Sequence, residues 1–247
     1  MKEVKPFKTQ YCPFYNECKE CTEEMQSTIA CNKGRNAYAI LNYNLCNLPH
    51  NWYENYVNKE LEVGKDERKH AFLNGISEDI VNWIDEGNNL YIYSKFIGNG
   101  KTTWAIKLAY KAILELSEYE SVYNTSYNEM CPVVYVNVDD FLFMNKQSIS
   151  TGDKSIIDLQ RRIKQAKLVV WDDMGTTKLS DYDYRLIYIL VNERVSKELS
   201  NIFTSNVIDD ELIENVGIRL YSRILETSDI VEFTNHSFRK PKSRRRI

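Results

Sequence analysis

No stretch of this chain approaches the roughly 18 consecutive apolar residues of a membrane-spanning helix. The longest apolar runs, such as LVVW, are strand-sized, which excludes a helical membrane protein. The opening MKEVKPFKTQ has no apolar core, so a secretory signal is not expected. Bulk charge is also missing. The formal net charge is −3, and no overall field announces nucleic acid or membrane as a partner. Internal repeats are absent, and the only biased tract is basic: Arg239 to Ile247 holds six basic side chains and no acid. Glycine is scarce, nine in 247 residues, so a closely spaced pair needs a reason. What is present suits a soluble, cytoplasmic protein with one main domain and a small extra module: 43% of residues are hydrophobic, enough for a core, and 27% are charged.

Cysteine is the exception to this scarcity. Six are present, and four of them, Cys12, Cys18, Cys21 and Cys31, crowd the first 31 residues. Without a secretory signal, metal binding is favoured over disulfides. The Cys18-x2-Cys21 pair is a knuckle that can grip one ion, and four thiolates complete a tetrahedron around zinc. An iron–sulfur cluster and free thiols remain alternatives. A short segment has a poor core by itself, and a metal would supply what burial cannot.

Beyond residue 50, the charged stretch KELEVGKDERKH (59–70) reads as a solvated connector. The segment 76–87 has helical spacing, with Gly87 as its stop. Strand-like NLYIYSK is followed by a glycine stretch and then by Ala105, Leu108, Ala109, Ala112, Ile113 and Leu116 at amphipathic helical intervals. PVVYVNV, KLVVW, NIFTSN and DIVEFT read as further strands; SIIDLQRRIKQA and RLIYILVNERVSKEL read as helices, and two short helices fill 208–226. This alternation predicts an α/β fold, a parallel sheet with helices on both faces.

The glycine pair lies in FIGNGKTTWA, as Gly98-Asn99-Gly100-Lys101-Thr102-Thr103. The strand before it, the helix after it and the Gly-Lys-Thr run match the P-loop pattern, save that Lys95 stands where the first glycine falls. Backbone N–H groups at a helix N-terminus face anionic phosphates. Lys101 would reach the outer phosphates of ATP, and Thr102 would hold Mg2+. KLVVWDDMG then ends a buried strand in two acids. This is a Walker B arrangement: Asp172 serves the Mg2+ water shell and Asp173 the attacking water. Asn206, at the tip of NIFTSN, suits a contact to the γ-phosphate or that water. Arg219 and Arg223 share one helical face, and such a pair suggests an arginine finger aimed at a neighbouring subunit's nucleotide.

In these stretches, together with NERVSKELSNIFTSN, IRLYSRI and SFR, the chain resembles the DnaC/DnaI group of bacterial and phage helicase-loader ATPases, within the AAA+ class, over roughly residues 47–240. The resemblance implies a P-loop AAA+ core with Lys101 and Thr102 as Walker A, Asp172 and Asp173 as Walker B, Asn206 as sensor 1 and Arg223 as the finger. Arg239 looks like the family's closing basic motif, at the nucleotide. The implied organisation is a Cys-rich, metal- and partner-binding module (1–50), a connector (51–72), the ATPase core (73–236) and a basic tail (237–247). The implied function is ATP-dependent loading of a hexameric replicative helicase, with self-association in the ATP state. The basic tail reads either as a source of phosphate contacts to single-stranded DNA or as a solvated end. Two other classes share some of the signal: an IstB-type ATPase that regulates a transposase, and a P-loop phosphotransferase acting on a small molecule.

Overall fold

The computed structural model describes residues 37, 40, 41, 44–116 and 131–235. Cys12, Cys18, Cys21, Cys31, Arg239 and the basic tail lie outside the described residues.

Five short runs rich in β-branched and aromatic residues form the strands: β1 (Asn89–Tyr93), β2 (Val133–Asn137), β3 (Leu168–Asp172), β4 (Ser200–Ser205) and β5 (Ser228–Glu232). They make one sheet in the order β2-β3-β4-β1-β5, and every pairing is parallel. β1, β3 and β4 are buried at every residue, as expected of strands covered on both faces. On one face Leu90, Ile92, Val133, Val170 and Ile202 join the core built on helix α3 (Lys101–Leu116). On the other, Tyr91, Val136, Val169, Trp171 and Phe203 pack under α4 (Val138–Thr151), α5 (Ser155–Gln165), α6 (Asp181–Ser196), α7 (Asp209–Val216) and α8 (Ile218–Leu225). After β1 the chain crosses to β2 at the far edge, then returns through β3 and β4 to lie beside β1 again. The C-terminal ends of β1, β3 and β4 therefore open into one crevice, where α/β sheets place ligands.

Two segments differ from the sequence expectation. The stretch 59–70 is not uniformly solvated: Gly64–Asp66 is a 3-10 turn, and α1 (Glu67–Glu78) starts well before residue 76. A second short helix, α2 (Ile80–Asp85), comes next. Asp66 is 1% exposed and accepts hydrogen bonds from Thr234 N (3.0 Å), Asn235 N (3.0 Å) and Thr234 Oγ1 (2.8 Å), closing the N-terminal side of the core onto the end of β5. The charge that reads as solvation locally is spent on a distant partner. Helix α4 is not signalled by periodicity, because Phe143, Met144 and Ile149 point outward while Val138, Phe141 and Leu142 point in. Its start is set instead by the Asn137 side chain, which accepts from Asp140 N at 3.1 Å.

The outer edge of β2 is not left open. Tyr135 N donates to Cys46 O (2.8 Å), and Asn47 Nδ2 donates to Tyr135 O (3.1 Å). At the N-terminal ends of β3 and β4, the fully buried Arg194 has no acid beside it among the described residues. Its guanidinium donates to Ile163 O, Ala166 O, Ser200 O and Asn201 Oδ1, and burial pushes its pKa down to about 9. A buried cation is tolerable only when so satisfied.

Candidate functional site

The loop from Ser94 to Gly100 leaves β1 and feeds the N-terminus of α3. Its tight part needs left-handed backbone, with Gly98 at φ 80° and Gly100 at φ 104°. A Cβ on Gly100 would also lie 3.1 Å from Leu61. Lys95 is not among the residues of positive φ and is exposed, so this position does not call on glycine's freedom. Ser94 Oγ accepts from Phe96 N (3.1 Å) and from Asn99 Nδ2, which pins the loop from within. Asn99 Oδ1 is buried without a hydrogen-bond partner among the described residues. Lys101 Nζ, on a residue only 6% exposed, donates to Phe96 O at 3.2 Å. Thr103, predicted with the loop, is buried in the first turn of α3.

β3 delivers Asp172 opposite this helix start. The residue is 3% exposed. Thr102 Oγ1 (2.8 Å) and Thr204 Oγ1 (2.6 Å) both donate to its carboxylate Oδ1, and Tyr135 OH (2.6 Å) donates to Oδ2. The next residue turns sharply: Asp173 has φ 60°, and its N–H donates to Thr204 Oγ1 (3.1 Å). Burial, reinforced by the adjacent Asp172 charge and opposed by Lys101, pushes the Asp173 carboxyl up to about 6. Desolvation of this kind is how carboxylates acquire proton-transfer roles.

Residues 98–103, Asp172, Asp173 and Asn206 line one cavity of about 740 Å³, within the range of small-molecule sites. The structure thus brings together the glycine-loop residues, both acids and the strand-tip amide singled out from sequence. It does not bring Arg219 or Arg223 to them: both are exposed on α8, and neither lines the cavity. Two further residues were not expected here. Thr204 joins Asp172 to the backbone of Asp173, whereas its neighbour Ser205 is structural and donates to Met174 O at 2.6 Å. Tyr135 reads locally as a core strand residue, and only its hydroxyl shows otherwise.

Among the described residues no group of three or more His, Cys, Asp or Glu could hold a metal ion. Cys46 and Cys131 are free and buried. No described helix is long and apolar enough to cross a membrane.

A family profile described as IstB-like ATP binding protein matches residues 35–246. No curated protein sequence matches significantly. Among solved structures, the DnaC helicase loader superposes with a TM-score of 0.57 at 18% identity, covering 75% of this chain and 100% of that one. A putative primosome component from Streptococcus pyogenes gives 0.52 at 20% identity, covering 78% and 92%. The replication initiator DnaA bound to AMPPCP and single-stranded DNA gives 0.53 at 21%, covering 73% of this chain but 48% of that one. At these identities the likeness is one of fold.

Proposed function

Because this chain belongs to the IstB-like ATP-binding family, we propose that it binds and hydrolyses ATP at the cavity between α3 and β3, and that it uses this cycle to load a replicative DNA helicase. One observation carries the nucleotide reading: a phosphate-binding loop and helix start face a buried strand-end carboxylate, joined by the 2.8 Å Thr102–Asp172 bond. The donor set fits Mg2+, since Thr102 and Asp172 offer only oxygen. The loop fits phosphate, since glycine backbone at positive φ leads into the N-terminus of α3. When bound, the metal neutralises charge on the outer phosphates. Lys101 would exchange its own loop carbonyl for those phosphates. Asp172 would orient the metal's water shell. Asp173, ionised above about 6, would take the proton of the attacking water, which Asn206 helps to position.

The loader role rests on the sequence resemblance to DnaC and DnaI, with the fold likeness in support. In that reading Arg223 acts on the nucleotide of an adjoining copy, which suits an exposed side chain outside its own cavity. Arg239 closes on the nucleotide, the tail adds contacts to single-stranded DNA, and Cys12, Cys18, Cys21 and Cys31 hold zinc in the module that engages the helicase. The family match equally favours a second reading, an IstB-type ATPase that acts with a transposase. Native mass measurement of the protein mixed with a hexameric helicase, or with a transposase, separates them. An ATP-dependent complex with the helicase, lost in Lys101→Ala, is the expected result. Capture of the transposase alone decides for the second reading, and no ATP-dependent complex with either removes both.

A further inference from the structure

The carboxylate of Asp172 is held from two sides. On Oδ1 it meets Thr102 and Thr204; on Oδ2 it meets Tyr135 OH at 2.6 Å. The first two donors belong to the helix start and to the neighbouring strand β4. The third comes from β2, on the other side of β3, where Asn137 rather than Tyr135 is the register partner of Asp172. The tyrosine therefore reaches along the sheet to the acid, and its own placement is rigid. The residue is 5% exposed, β3 pairs with it on one side, and Cys46 O and Asn47 Nδ2 bond its backbone on the other. The hydroxyl gives its one proton to Asp172 Oδ2 at 2.6 Å.

Resting on the reading of this cavity as a Mg2+–ATP site, we propose that Tyr135 is a positioning residue for metal-dependent nucleotide binding: it anchors Oδ2 of Asp172 so that Oδ1 stays turned toward Thr102. A strand-end carboxylate can rotate about its terminal bond, which is soft. A single donor on the far oxygen removes that freedom. Groups that orient a metal's carboxylates from behind typically change metal affinity by 10–100-fold when lost.

The test is Tyr135→Phe, which removes one oxygen and keeps the ring. Nucleotide affinity is measured by calorimetry with ADP or a non-hydrolysable ATP analogue, across a Mg2+ titration and in excess chelator. The variant is expected to need about tenfold more Mg2+ for half-maximal enhancement of binding, with metal-free affinity unchanged and a parental circular dichroism spectrum. Thr204→Val, which removes one of the two donors on Oδ1, serves as a second variant should Tyr135→Phe fold poorly; a similar Mg2+ shift is expected, because Oδ1 then keeps Thr102 alone and the carboxylate is held less firmly. A lower melting temperature with an unshifted Mg2+ titration in Tyr135→Phe assigns the tyrosine to packing alone and overturns the proposal. An unshifted titration in both variants also overturns it. If the parent protein itself shows no metal-dependent binding, the Mg2+–ATP reading falls and takes this inference with it.

Discussion

Removal of the Asp66 carboxylate is the sharpest structural test, because the cost can be worked from its partners. Asp66 accepts from the N–H groups of Thr234 and Asn235, from the Thr234 hydroxyl, and from Lys69 Nζ at 2.6 Å. Hydrogen bonds to a charged group contribute about 1.5–3 kcal/mol each. The Lys69 side chain is 31% exposed, so that ion pair adds little. Thr234 is exposed, and its released donors can rehydrate, which places the two backbone bonds at the low end. Asp66→Ala is thus expected to destabilise the protein by about 3 kcal/mol. For a chain of this size that is a fall in melting temperature of roughly 9 °C. Burial works to raise this carboxyl, but the bonds from Lys69, Thr234 and Asn235 outweigh it and hold the pKa below the ordinary value. A depressed acid contributes stability that is present above its unfolded pKa, near 4, and lost as pH falls through the folded value. Urea denaturation of parent and variant should show the full gap at pH 7 and a narrowing gap below about pH 4. A gap under about 1 kcal/mol at pH 7, or one that persists undiminished in acid, would refute the clasp.

Three further outcomes bear on the site. Turnover should rise with pH through about 6, as the desolvated Asp173 ionises; Asp173→Asn should keep nucleotide binding while slowing hydrolysis by about 10²–10⁴, and a pH–rate profile flat between 5 and 7 would exclude it as the base. Arg223→Ala should leave binding by the isolated protein unchanged and lower turnover in the assembled complex by about 10³; parental turnover there would show that the finger is another residue. Freshly purified protein should carry about one zinc ion per chain, lost when Cys18 and Cys21 are replaced; elemental analysis finding neither zinc nor iron would remove the metal module, and visible absorption would favour iron–sulfur.

The class of fold and most of the candidate site are legible in the residues alone. Gly100-Lys101-Thr102 and Asp172-Asp173 are contiguous, and each lies just beyond or at the end of a strand. Local apolar pattern and residue chemistry therefore suffice to find them. Helices α3, α5 and α6 are legible for the same reason, since each buries a stripe at helical spacing. What those pieces meet is a matter of tertiary structure. The strand order sets β3 and β4 beside the loop that leaves β1, and this is what brings Asp172 to Thr102 across 70 residues. Tyr135 and Asp172 are 37 residues apart, and Asp66 and Thr234 are 168 apart. Neither pair leaves a periodic trace, because a side-chain hydrogen bond needs only one suitable atom at each end. Tyr135 passes for core and Asp66 for solvated surface for that reason. Helix α4 escapes notice on the same physics: its apolar residues divide between core and solvent, and its first turn is fixed by a single capping amide.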